Sequence, residues 1–135
     1  MDNKQERRLI AAAAAACARA YAPYSDFRVG AALLSAGGRS IAAGCNVENA
    51  SFGLTICAER AAICRAVADG TKRFSALAVV CSGKKPVPPC GACLQVLAEF
   101  CPPGLPVVLA SAGRPRKIAR YTLGVLLPRA FRLQS

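Results

Sequence analysis

Phe74-Ser75-Ala76-Leu77-Ala78-Val79-Val80-Cys81 is followed, after a lysine- and proline-rich loop, by Pro89-Cys90-Gly91-Ala92-Cys93. The first segment is apolar along nearly its whole length, the pattern of a strand buried on both faces and therefore central in its sheet. The second opens a helix that runs from about Cys90 to Cys101 and stops at Pro102-Pro103-Gly104. Pro106 to Ala110 and Lys117 to Tyr121 read as two more strands. About six residues join them, too few for a parallel crossover, so the last two strands are expected antiparallel. A short helical tail from Thr122 to Leu127 follows. Upstream, Phe27 to Ala36 and Arg39 to Asn46 read as a hairpin turning at Gly37-Gly38. Lys4 to Ala20 is a helix stopped near Pro23, and Val47 to Thr55 is polar and irregular. A second helix starts near Cys57 and ends at Asp69-Gly70, where glycine suits the stop. The expected class is α/β: helices packed on a five-stranded mixed sheet, in a single domain over residues 1–135.

The hydrophobic fraction is 54%, much of it alanine. Small side chains let helices pack closely but bury little area each, so contacts between copies would help cover apolar surface. The net charge is +11, yet the basic residues are scattered. The densest basic stretch, Arg114 to Arg132, has one aromatic near its middle, Tyr121. Single-strand binding wants stacking platforms beside the charge, so a nucleic-acid partner is not expected. Arg7-Arg8 followed by Leu9 to Ala18 has some look of a leader. Asp2 and Glu6 dilute its positive region, and alanine is the best helix former. A first helix of the folded protein is the simpler reading. No run reaches the ~20 apolar residues of a membrane span. A cytoplasmic location with reduced thiols follows as an expectation.

Cys90 and Cys93 lie three apart at a helix start, where i and i+3 share a face. Cys57 lies 33 positions earlier, at the N-terminus of a different helix. Three thiolates can hold Zn²⁺ and leave one tetrahedral position open. Helix N-termini favour thiolates, and Arg60 can offset the remaining negative charge through hydrogen bonds to sulfur. Glu59 is badly placed to bind the same ion directly and better placed to hold a water beside it. The chain has no histidine, so proton transfer falls to a carboxylate or to water. Cys17, Cys45, Cys64, Cys81 and Cys101 form no second short-spaced pair and read as small buried hydrophobes.

With these residues in view, the chain resembles the small homotetrameric cytidine deaminases. The likeness runs nearly end to end. It includes Pro23-Tyr24-Ser25-Asp26-Phe27-Arg28-Val29-Gly30-Ala31, Gly44-Cys45-Asn46-Val47-Glu48-Asn49-Ala50-Ser51, Cys57-Ala58-Glu59-Arg60, Pro89-Cys90-Gly91-Ala92-Cys93 and Leu126-Leu127-Pro128-Arg129-Ala130-Phe131. The resemblance implies a three-layer α/β/α fold and one zinc ion per subunit on Cys57, Cys90 and Cys93. It implies Glu59 as proton shuttle in hydrolysis of cytidine or deoxycytidine to the uridine form and ammonia. It also implies that Asn46 and Glu48 bind ribose hydroxyls and that the Ala58 backbone contacts the base. Phe27 would line the pyrimidine pocket, and Phe131 would reach the site of a neighbouring subunit in a homotetramer. Phe52, Leu94, Val125 and Arg129 depart from the family's usual residues, which bears on sugar preference and subunit contacts. Two other readings compete. One is a deaminase of a different aminopyrimidine nucleoside. The other is a non-catalytic basic nucleic-acid-binding protein stabilised by zinc with a fourth protein ligand.

Overall fold

The computed structural model describes residues 1–133. In chain order the elements are α1 (Asn3–Cys17), β1 (Val29–Ser35), β2 (Ile41–Cys45), a short 3₁₀ turn (Phe52–Leu54), α2 (Ala58–Ala68), β3 (Phe74–Cys81), α3 (Gly91–Phe100), β4 (Pro106–Ser111), β5 (Ile118–Thr122) and α4 (Leu123–Leu126). The sheet order is β2-β1-β3-β4-β5, so β3 is central as its apolar run requires. β3 and β4 are parallel, joined through α3; every other neighbouring pair is antiparallel, including β4 with β5.

Strand alternation sorts the core into two layers. Leu33, Leu77, Val79, Val107 and Leu109 point toward α2, α3 and α4. Leu34, Ala76, Ala78, Val80 and Val108 point toward α1, meeting Leu9, Ile10 and Ala13. This is the three-layer α/β/α arrangement. Two glycines set how closely helices approach the hairpin. A Cβ on Gly30 would lie 2.0 Å from the Ala13 carbonyl oxygen of α1, and one on Gly44 would lie 2.5 Å from the Ala62 nitrogen of α2. Helix backbone occupies the space where those side chains would stand.

Several boundaries differ from expectation, and contacts with other parts of the chain account for most of the differences. α1 ends at Cys17 rather than Ala20, because the chain turns to let Tyr21 exchange backbone hydrogen bonds with Asn46 and Glu48. β1 begins at Val29 rather than Phe27, since Asp26 just upstream takes a left-handed turn (φ 55°) that aspartate tolerates. β2 stops at Cys45, where Asn46 turns its side chain inward to bond the Val29 amide at the start of β1 and the Phe27 carbonyl just before it. Among the described residues no helix is long and apolar enough to cross a membrane.

Candidate metal centre and substrate cleft

Cys57 and Cys90 are the residues immediately preceding α2 and α3, both in extended conformation. Two helix N-termini therefore converge, each bringing unpaired first-turn amides and partial positive charge to a thiol. Cys93 joins from the first turn of α3. The Cys57 and Cys90 sulfurs are 3.9 Å apart, those of Cys90 and Cys93 3.5 Å apart, and all three lie within 4.8 Å of one another. With Zn–S bonds of about 2.3 Å, a tetrahedron has edges of about 3.8 Å. The sulfur spacing thus fits zinc, and soft thiolates suit that ion.

The electrostatics fit as well. Burial, then the nearby Glu59 charge and the neighbouring thiols, push the Cys93 thiol well up. For Cys90 burial also opposes ionisation, but the Cys93 and Ala92 amides and the facing thiols outweigh it and the thiol is pulled down. Arg60 is one turn after Cys57 and donates from Nη2 to its sulfur at 3.3 Å. Hydrogen bonds to Cys57 and Cys93 hold the guanidinium firmly charged. It offsets the negative charge a zinc trithiolate would carry.

Glu59 is 5% exposed. Burial raises its carboxyl above the ordinary range, against the opposing pull of its own amide and of Arg60. It lies two residues after Cys57 in the first turn of α2, and the sulfur group comprises the three cysteines without it. Ala58, the first residue of α2, is fully buried between them.

Asn46 organises the loops that lead into β1. Its Nδ2 donates to the Phe27 carbonyl at 2.9 Å and its Oδ1 accepts from the Val29 amide at 2.8 Å. Asn46 therefore shapes the loop that carries Phe27. The Phe27 ring is half-buried and lies over Gly83, where any side chain would crowd its edge. Glu48 is half-buried. Its carboxylate accepts from the amides of Tyr24 and Ser25, at 2.9 and 3.2 Å, and from the Ser25 hydroxyl. The Ser25 hydroxyl, followed by these amides, holds the Glu48 carboxyl below the usual range. Tyr24, Ser25, Glu48, Phe52 and Thr55 line a cavity of about 220 Å³. The Phe52 ring, 73% exposed, meets Tyr24 edge-on with centroids 5.6 Å apart.

Phe131 is held beside α3 through its backbone. Its carbonyl accepts from Gln95 Nε2 at 2.8 Å while its ring is 70% exposed. Of the other cysteines, Cys17, Cys81 and Cys101 are buried as expected. Cys45 is half-buried and Cys64 is exposed, because α2 turns Ala62, Ile63 and Ala66 inward and leaves position 64 outside. Sequence reasoning assigned no role to Tyr24, Ser25 or Gln95. All three sat inside or beside recognisable motifs, but their contacts cross 23 to 36 positions of chain.

Comparisons with known proteins agree with this geometry. Residues 3–109 match the cytidine and deoxycytidylate deaminase zinc-binding region. The chain is 50% identical over 124 residues to a cytidine deaminase of Sporosarcina psychrophila, covering 92% of this chain and 89% of that one. It is 52% identical over 112 residues to a cytidine deaminase of Halalkalibacterium halodurans, covering 83% of each. The crystal structure of cytidine deaminase from Burkholderia pseudomallei superposes with a TM-score of 0.87 at 47% identity, over 97% of this chain and all of that one. With the fold, the three-sulfur cradle and these likenesses together, the chain belongs to the cytidine and deoxycytidylate deaminase family.

Proposed function

We propose that this protein is a zinc-dependent enzyme that hydrolyses cytidine or deoxycytidine to the uridine form and ammonia. The observation that carries the reading is the meeting of three thiols from two helix N-termini beside a buried carboxylate. Cys57, Cys90 and Cys93 would hold one zinc ion per subunit. When bound, zinc supplies Lewis-acid activation of the attacking water. Glu59 accepts the proton that water releases. It delivers a proton to ring N3, which makes C4 more electrophilic, and then helps carry one to the exocyclic nitrogen. Water adds at C4, the C4–N bond breaks and ammonia leaves, so one water enters for each ammonia released. A single carboxylate serves each step by alternating between base and acid. Burial that raises the Glu59 carboxyl suits that alternation.

Around this centre, Glu48 and Asn46 bind the sugar, the Ala58 backbone contacts the base and Phe27 lines the pyrimidine pocket. The protein works as one domain in the cytoplasm and assembles as a homotetramer, with Phe131 entering a neighbour's site. The exposed apolar residues near the cleft support assembly. Tyr21, Tyr24, Val47, Phe52, Leu54 and Ile56 are each at least 42% exposed, the kind of patch that marks an interface. Purified protein given cytidine should release ammonia, and a strong zinc chelator should abolish that release. Activity unaffected by complete metal removal would overturn the reading.

A further inference from the structure

We infer that Arg132 and Gln95 are positioning residues that tether the C-terminal tail to the metal-ligand helix and so hold Phe131 at a fixed place and angle. This rests on the proposed role of Phe131 in a neighbouring copy's pyrimidine pocket. The argument begins at the C-terminus of α3. The last carbonyls of a helix have no partner within it. Here the usual remedy is blocked, since the Ala98 oxygen would ordinarily accept from residue 102. Pro102 has no amide hydrogen, and neither does Pro103 one position on.

Arg132 fills the gap. Its Nη1 donates to the Ala98 carbonyl and its Nη2 reaches the Cys101 carbonyl at 3.5 Å. A cation at a helix C-terminus is also favoured by the helix dipole. One turn earlier, on the same helix, Gln95 Nε2 donates to the Phe131 carbonyl at 2.8 Å. Two adjacent tail residues are therefore fixed to one helix, one through its carbonyl and the other through its side chain. The ring between those anchors is 70% exposed. An aromatic side chain held by a fixed backbone has lost much of the freedom that docking would otherwise cost. Cys90 also caps the start of α3, and Cys93 lies in its first turn. One rigid element thus spans the metal cradle of its own subunit and the residue presented to the next.

The test is steady-state ammonia release from cytidine by the full chain, with zinc content, oligomer size and thermal stability measured on each variant. Arg132→Ala and Gln95→Ala should each raise KM roughly three- to tenfold, the weight of one hydrogen bond, with kcat changing less. Zinc content and oligomer size should stay as in the parent. Arg132→Lys, which keeps a cation for the helix end, should recover part of the loss. In a Phe131→Ala background, Arg132→Ala should add nothing further, because its effect runs through that ring. An Arg132 effect of full size in that background, or unchanged KM in both single variants while Phe131→Ala raises it, would overturn the tether and leave the role of Phe131 intact. Unchanged KM in Phe131→Ala would instead remove the reading on which the tether rests.

Discussion

Glu59 combines a residue type that prefers water with a position that excludes it. A buried carboxylate without a cation partner is costly, and Arg60, the nearest cation along the chain, is occupied by sulfur. Such a cost fits the proton carrier proposed above. Glu59→Gln should keep zinc at parent stoichiometry and lose roughly 10²- to 10⁴-fold in turnover, measured by ammonia release beside elemental analysis. A variant with near-parent turnover would remove Glu59 from the reaction. Glu48 belongs to the same scale but a different role. Its carboxylate gathers the Tyr24 and Ser25 amides, so Glu48→Ala both frees that loop and deletes the acceptor proposed for the sugar. We expect a KM increase of roughly tenfold or more with a smaller change in kcat, checked with cytidine and deoxycytidine side by side.

At the scale of elements, how much was legible depended on the range of the forces involved. β3 was read with both ends correct, because a run apolar on both faces is a local signal. The antiparallel pairing of β4 with β5 followed from the short connection, a matter of chain reach. The convergence of Cys57 with Cys90 and Cys93 was also readable, since metal-ligand spacing and helix starts are written locally. The end of α1 and the start of β1 were missed by two or three residues, because both answer to partners distant in sequence: Tyr21 to Asn46, and Val29 to the same asparagine. The close approach of α2 to β2 had no sequence signature beyond a glycine. It bears directly on the site, since α2 carries Cys57 and Glu59 at its start. Gly44→Ala would set a methyl 2.5 Å from the Ala62 nitrogen and 2.9 Å from the Ala58 carbonyl oxygen. The first turn of α2 must then move. Overpacking of this kind costs about 1–3 kcal/mol, and the displaced turn should also weaken zinc retention. A melting curve together with a chelator competition would read both, and parent values in each would show that the helix yields without disturbing the cradle.

Across the whole molecule, charge is the dominant property, at +11 with seven acidic residues. One of those seven joins the two ends of the fold. Glu6 on α1 receives both a 3.0 Å and a 2.6 Å hydrogen bond from Arg120 on β5. Those hydrogen bonds hold the Glu6 carboxyl below its ordinary range. A carboxylate lowered in the folded state contributes stability above its unfolded pKa and loses it as pH falls through the folded value. Glu6→Gln should therefore melt slightly below the parent at neutral pH and level with it in acid. High salt should narrow the gap, because Arg120 is 62% exposed. An equal gap at both pH values would assign the difference to packing instead.

The nearness of Cys90 to Cys93 has a consequence for handling and storage. Two sulfurs 3.5 Å apart on one helical turn, one of them open to solvent, are easy prey for dissolved oxygen once nothing else occupies them. Metal-stripped stocks kept in air should age through cross-linking of this pair. They should recover on reloading only after treatment with a reductant, whereas loaded stocks should stay sound if, as proposed, the ion sits on these sulfurs.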